Sequence, residues 1–246
     1  VYASNESLTE RFPSDCRDAA GRLNRLERGV KRVLIFRNGS LGDTIVALPC
    51  FHLIARAFPA AERRLLSSLS RNEHAVPLSA LLEGSSLVQG YLTYASNELG
   101  ALSFLKLWNS IRAFRPDVLI YLVEPQSRFS VWRDALFFKS CGVRKMIGLP
   151  QTAELRKNRW VTEKGTYEYE SERLLRCLGA IGTISLNDPA NWDLELTAEE
   201  ERRVSEVLKN WPGENHFVVC SIGAKVREKD WGKENWRNLF SSLSRL

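Results

Sequence analysis

The apolar positions of the chain alternate between two periods. Val33-Leu34-Ile35-Phe36 is a continuous apolar run of the kind shown by a parallel strand buried on both faces, and the turn Asn38-Gly39-Ser40-Leu41-Gly42 follows at once. Beyond Asp43, residues Ile45, Leu48, Ala55 and Phe58 recur at helical spacing, with Pro49 close to the start and Pro59 at the end of that helix. Runs at Arg64–Ser68 and Asp117–Val123 predict two further strands, and the stretch Leu102 to Phe114 predicts a helix leading into the second of them. A helix around Phe129 to Lys139 stops near Cys141-Gly142, and another short buried strand precedes Gly148. Glu168 to Leu178 predicts a helix that closes this first set of elements.

Strands alternating with helices imply an α/β class, a sheet with helices on both faces. Residues 1–29 are polar and form an extension in which Leu23 and Leu26 suggest at most a short amphipathic helix. The first α/β domain spans 30–185, and the turn-rich stretch Gly182 to Asp193 marks a linker over 186–196. A second, incomplete α/β domain occupies 197–246. Thr197-Ala198-Glu199-Glu200 reads as a capping box that opens a helix to about Asn210. Trp211-Pro212-Gly213 breaks that helix, His216–Ser221 predicts a buried strand, and an amphipathic helix begins at Lys233. One strand and two helices do not close a core. With Val as first residue and Leu246 inside a helical pattern, both ends read as cuts.

Composition narrows the function classes. A 44% hydrophobic content supports globular cores, and no apolar run approaches the ~18 residues needed to span a bilayer. The first residues lack the apolar core of a signal peptide. Five cysteines lie scattered without a C-x-x-C pair, which fits buried thiols in a reducing, cytoplasmic compartment. A net charge of +6 favours anionic partners. The basic residues come mostly in pairs (Arg63-Arg64, Arg144-Lys145, Arg202-Arg203), which read as solvated surface, and no nucleic-acid module accompanies them. Three histidines far apart and no Cys/His cluster give no metal site, and no G-x-S-x-G elbow supports an acyl hydrolase. The seven tryptophans are spread through the chain as core residues would be.

The loop Arg37–Asp43 lies at the carboxyl end of the first strand, where open α/β sheets bind ligands. Its spacing is G-x-x-G rather than G-x-G-x-x-G, and Glu62 precedes the second strand instead of ending it, so a dinucleotide cradle is disfavoured. Asp43 has two readings: a general base that takes a proton from an attacking hydroxyl, or a helix N-cap. The two conflict in part, because a helix N-terminus stabilises the carboxylate and weakens it as a base. Arg37, at the end of a buried strand, is either an anion holder or a surface arginine.

The segment KRVLIFRNGSLGDTIVALPCFHLIARAFPAA resembles the amino-terminal signature of the heptosyltransferase family, glycosyltransferase family 9: a buried strand, a basic residue, S-x-G-D, a helix proline and a later F-P. In the order that family requires, Phe217–Ala224, then Lys229-Asp230-Trp231 and Glu234–Leu239, is similar to its strand, G-A turn, K-x-W and following helix. The resemblance implies a GT-B fold of two Rossmann-like domains, the first with a parallel sheet holding the acceptor and the second, only begun here, holding a nucleotide-sugar. It implies metal-independent transfer with inversion, Asp43 as base, and Arg37 and Ser40 on the acceptor side. Lys229 then matches the lysine on the donor phosphates, with Gly223 and Ala224 bringing backbone N–H groups near them and Lys225 beside them.

Departures are visible. Ser221, Ile222 and Lys225 stand where the family commonly has His-Pro and a small hydroxyl residue, and Tyr121–Arg128 replaces a D-x-Q-G loop. Glu124 and Arg128 are thus acceptor-pocket candidates or plain loop surface. The expected protein is a transferase that uses a nucleoside-diphosphate sugar, ADP-heptose being one candidate, and needs no other cofactor. Its expected partner is an anionic glycolipid or glycan acceptor, with peripheral contact at the inner membrane surface, in lipopolysaccharide or other envelope glycan synthesis. A non-catalytic nucleotide- or glycan-binding homologue is the alternative.

Overall fold

The computed structural model describes residues 29–69, 78–95, 100–124, 127–209, 218–220, 222, 228 and 230–244. The expected extension lies outside them, apart from its last residue. The chain divides between Thr197 and Ala198 into two compact units.

The first unit runs β1 (Arg32–Phe36), α1 (Leu41–Val46), α2 (Leu48–Ala57), β2 (Glu62–Leu69), α3 (Ser79–Leu82), β3 (Gly90–Ala95) and α4 (Ala101–Phe114). It continues with β4 (Val118–Tyr121), α5 (Arg128–Ser140), β5 (Lys145–Ile147), α6 (Ala153–Arg156), β6 (Trp160–Val161), β7 (Thr166–Tyr167) and α7 (Glu170–Cys177). Five strands form one sheet in the order β3-β2-β1-β4-β5, each neighbouring pair parallel.

The continuous apolar run of β1 has its cause in this layering. Val33 and Ile35 pack on one face with Leu48, Phe51, Leu65 and Leu174, while Leu34 and Phe36 pack on the other with Ile111, Phe114, Leu119 and Phe138. Both faces are covered, so neither parity is free to be polar. Each such fully buried side chain stabilises the fold by about 1.5–3 kcal/mol.

The single helix expected from Thr44 to Phe58 is two helices. Pro49 falls at the second position of α2, where it has no N–H to offer the carbonyl of Ile45. The chain tightens instead, and the Ala47 N–H donates to Thr44 O at 3.0 Å. β3 was not expected, because an edge strand paired only with β2 stays half-buried along its length and shows no clean alternation. The short β6–β7 hairpin, Trp160↔Tyr167 and Val161↔Thr166, escaped because two residues a side carry no period.

Arg63 corrects the reading of the Arg63-Arg64 pair as solvated surface. It is 6% exposed, and its guanidinium donates to the carbonyls of Phe58, Ala61, Ser86 and Leu87. Burial lowers its pKa from the usual arginine value. Arg64 behaves as an outer residue, bonded to Glu62 and lying 4.6 Å from the centre of the Phe114 ring. The segment expected as a linker is also folded. Pro189–Trp192 forms a 3-10 turn, Asn191 accepts from Arg56 at 2.6 Å, and His52 Nε2 lies 2.8 Å from Asp193 O.

The second unit contains α8 (Ala198–Lys209) and α9 (Lys233–Leu243). Arg202 bridges Glu199 and Glu206 along α8, and Trp236 stacks on Phe240 along α9. Val218–Cys220, the described part of the strand expected at His216–Ser221, forms no ladder, and Val218 and Val219 are exposed.

Candidate functional site

In this strand order the chain leaves β1 toward β2 on one side and has β4 on the other, so the sheet reverses direction of growth between β1 and β4. Loops leaving the carboxyl ends of two such strands part and open a crevice. Here those loops are Arg37–Ser40 and Leu122–Glu124, which brings the sequence-predicted residues Arg37, Ser40, Asp43 and Glu124 to one end of the sheet.

Of the two readings of Asp43, the N-cap is not the one the structure shows. Ser40 is the cap, and Asp43 is the third helical residue of α1, the two forming a capping box. Asp43 Oδ2 accepts from the Ser40 N–H at 2.6 Å and from its hydroxyl at 2.8 Å, while Ser40 Oγ accepts from the Asp43 N–H at 3.4 Å. The carboxylate is thereby fixed in an exposed position on the first turn of α1. Gly39 makes room for it. At φ +140°, a Cβ on Gly39 would stand 2.7 Å from Asp43 Oδ2 and 2.8 Å from Asp43 Cβ.

Arg37 is 3% exposed and turned inward. Its Nη1 donates to Leu122 O at 2.5 Å and its Nη2 to Asp43 O at 2.6 Å, so one guanidinium ties the end of β1 to the end of β4 and to the turn that carries Asp43. Burial lowers the Arg37 pKa, and the negative charges of Asp43 and then Glu170 oppose that shift. Its role in this structure is to hold the crevice walls together.

Glu124 lines a polar cleft of 410 Å³ together with Asn38, Tyr94, Tyr121, Arg133 and Asp134. Four of these were not singled out from sequence, and Asn38 only as part of the turn. Asn38 Oδ1 accepts from the Ser68 N–H and its Nδ2 donates to Tyr94 Oη, both at 2.9 Å, which links the turn after β1 to β2 and β3. Tyr121 donates to Asp134 Oδ2 at 3.0 Å, and Arg133 donates to Asp134 Oδ1. Burial raises the pKa of both tyrosines, so they stand in the cleft as neutral hydroxyls. Asn38 lay within the quoted turn, but Tyr94 sits on the unexpected edge strand, and nothing in the linear pattern placed it opposite Asn38. Arg128 does not share the cleft. It opens α5 and lines a separate 430 Å³ pocket with Trp132, Gln151 and Arg156.

The donor-side candidates Gly223, Ala224, Lys225 and Lys229 lie outside the described residues. Among the described residues no cluster of three or more His, Cys, Asp or Glu side chains is placed to hold a metal ion, and no helix is long and apolar enough to cross a membrane.

A five-stranded parallel sheet covered by helices on both faces, with a polar crevice at its switch point, is a Rossmann-like α/β domain of the kind that GT-B proteins pair. Solved structures share this fold. Over 87% of the chain it is similar to the glycosyl transferase family 9 protein from Veillonella parvula DSM 2008, with a TM-score of 0.54 and 14% identity, covering 60% of that protein. It is similar over 86% of its length to E. coli heptosyltransferase WaaC with ADP-2-deoxy-2-fluoro heptose, with a TM-score of 0.55, 17% identity and 65% of that chain covered. WaaC with ADP gives a TM-score of 0.51 at 18% identity, with 64% of that chain covered. The chain therefore spans less than two thirds of the length of these neighbours. No protein-family model and no curated protein matches it by sequence.

Proposed function

We propose that this chain is the acceptor-side part of a glycosyltransferase that moves a sugar from a nucleoside-diphosphate donor to a glycolipid or polysaccharide acceptor. The observation that carries the reading is the Asp43 carboxylate, exposed and fixed by Ser40 at the switch point of a sheet shared with family 9 structures. In the reaction an acceptor hydroxyl attacks the anomeric carbon from the face opposite the diphosphate. The new C–O bond forms as the bond to the diphosphate breaks, and the hydroxyl proton passes to Asp43. Configuration inverts, and no metal takes part. Arg37 holds the turn beneath Asp43, Ser40 orients its carboxylate, and Glu124 meets acceptor hydroxyls in the cleft, with Arg128 in the neighbouring pocket.

On the donor side the same reading assigns Lys229 and Lys225, with the backbone N–H groups of Gly223 and Ala224, to binding the diphosphate, where positive charge offsets that developing on the leaving group. WaaC has been crystallised with ADP and with an ADP-heptose analogue, which supports a nucleotide-sugar donor for this chain and makes a heptose one candidate. The net charge of +6 supports an anionic acceptor, met at the inner face of the cytoplasmic membrane in lipopolysaccharide or other envelope glycan synthesis. Asp43→Asn in the full-length protein keeps the shape of the capping box and removes the base. Transfer is expected to fall by about 10²–10⁴-fold with donor affinity unchanged. Unchanged turnover would take Asp43 out of this role. Donor binding with no transfer in the wild type would favour the non-catalytic homologue that the departures at Ile222 and Lys225 suggest.

A further inference from the structure

The amino-terminal end of the sheet carries a cleft of its own. α4 ends at Phe114 before β4 begins at Val118, and α5 ends at Ser140 before β5 begins at Lys145. These two connections border a cleft of 360 Å³ whose lining includes Arg112, Arg115, Asp117, Cys141, Gly142 and Arg144. The length of β4 separates it from the polar crevice near Asp43, and the two share no lining residue.

Elsewhere in the first unit buried or half-buried arginines are used inside the protein, Arg63 on carbonyls and Arg133 and Arg173 on carboxylates. Arg112, Arg115 and Arg144 donate to no protein oxygen among the described residues. Asp117, the acid of the lining, is turned to the backbone, where Oδ2 accepts from the N–H groups of Lys31 and Arg32 at 2.8 and 2.9 Å. The carboxyl ends of α4 and α5 each bring about half a unit of negative charge, which a single arginine would answer. Three guanidiniums exceed what Asp117 and both helix ends offset, and Lys31, Arg32 and Lys145 beside them have no acidic partner among the described residues.

Two of these side chains are held where they stand. Arg112 Cζ lies 4.4 Å from the centre of the Trp108 ring, and Trp108 Nε1 donates to Ser140 Oγ at 3.2 Å, so this guanidinium is fixed between the ends of both helices. Arg115 has left-handed backbone, φ 52° and ψ 60°, although it carries a side chain and precedes Pro116, which favours extended backbone at the residue before it. Glycine would take that place without strain. An arginine kept there points to a use for its side chain.

We propose that this cleft binds a small anion carrying two or more linked phosphate groups. Guanidiniums pair with phosphate oxygens through parallel N–H donors, and three of them suit linked phosphates better than one carboxylate. The volume lies at the small end for ligand pockets and suits a di- or triphosphate. The site does not depend on the transferase reading and stands or falls without it.

Isothermal titration calorimetry of the 246-residue chain with sodium tripolyphosphate, at an ionic strength of about 0.15 M, tests the site. Saturable binding is expected. Arg144→Gln removes an exposed guanidinium and is expected to weaken the Kd about tenfold or more. Arg115→Gly is expected to weaken it as much and to melt no lower than the wild type, since it relieves the left-handed backbone. Lys164→Gln, in the turn between β6 and β7, is expected to change nothing. Absence of saturable binding overturns the proposal, and so does equal weakening by all three variants, which would mark diffuse charge. Binding that both arginine variants leave intact belongs to another place, the proposed donor side included, and also overturns it. An early melt of Arg115→Gly would show that its guanidinium serves the fold and would count against the site in the same way. Citrate bound as tightly as tripolyphosphate overturns the assignment to phosphate. Binding to phosphatidylglycerol vesicles without tripolyphosphate binding overturns it in favour of a membrane-facing patch, and binding to single-stranded RNA alone does so in favour of nucleic acid.

Discussion

Gly39→Ala isolates the local geometry on which the site depends. The backbone at Gly39 has φ +140°, a region closed to residues with a side chain, and the added methyl would meet Asp43 Oδ2 at 2.7 Å and Asp43 Cβ at 2.8 Å. Real Cβ atoms do not approach that closely. The Cβ of Asp43 sits on the first turn of α1 and has no rotamer with which to withdraw, so the turn itself must shift. Holding a non-glycine residue in such a conformation costs about 1–3 kcal/mol, and losing the reciprocal Ser40–Asp43 bonds adds about 0.5–2 kcal/mol.

A total of roughly 1.5–5 kcal/mol lowers the melting temperature by about 3–20 °C for a unit of this size. Circular-dichroism melts measure it. A double-mutant cycle with Asp43→Ala then separates the part of the penalty carried by the carboxylate from backbone strain and the Cβ contact, which remain. With the carboxylate gone, part of the Gly39→Ala penalty disappears, so the two changes together cost less than their sum by about 1 kcal/mol. A Gly39→Ala protein that melts like the wild type, or strict additivity in the cycle, would refute the claim that this glycine exists to seat Asp43. On the proposed reading of Asp43 as base, the same change in the full-length protein should depress transfer while donor affinity holds.

Two further outcomes follow from the buried groups. Arg37→Met leaves the Leu122 carbonyl without its guanidinium donor and the Asp43 carbonyl with the Ala47 N–H alone, and should cost about 2–4 kcal/mol in urea unfolding, with Arg37→Lys recovering part of it. An unchanged midpoint would show that the clamp between β1 and β4 carries no load. Stability should also fall on the alkaline side. Burial pushes the Cys141 thiol from 9.0 to about 11 and the Tyr91 hydroxyl from 10.0 to about 12, and it raises Cys50 and Tyr121 as well. The folded chain holds these protons more tightly than the unfolded chain. Their contribution is therefore complete below the unfolded values and is lost as pH rises from 9.0 through about 11 for Cys141 and from 10.0 through about 12 for Tyr91. Urea midpoints at pH 8 and above pH 10 measure this, and equal midpoints would contradict the burial of these groups.

Much of the first unit was legible because its signals are local. A strand covered on both faces must be apolar at every position, as Val33–Phe36 is, and a helix with one buried side must repeat its apolar residues at helical spacing. The same locality made the Arg37–Asp43 turn visible, since glycine, a hydroxyl residue and a carboxylate lie within a few positions and interact with one another. Where sequence reading erred, the deciding partners were hydrogen bonds that no apolar period reports. Ser40 and not Asp43 is the cap, a distinction that two cap-forming residues three apart leave open until their hydrogen bonds are seen. Arg63 is buried because carbonyls from the α2–β2 turn and from Ser86 and Leu87 surround it. β3 is a strand because β2 lies beside it.

The sequence by itself determined the elements that bury a continuous face and the turn that presents Asp43, because both are written in neighbouring residues. Only the tertiary structure decided what surrounds that turn. Placing β1 between β2 and β4 puts Glu124, Tyr121 and Asp134 across from Asn38 and Tyr94, and it makes Arg37, open in the sequence between anion holder and surface arginine, a bond between two loops. Strand order is fixed by the packing of whole layers, and no stretch of residues short enough to read as a pattern contains it.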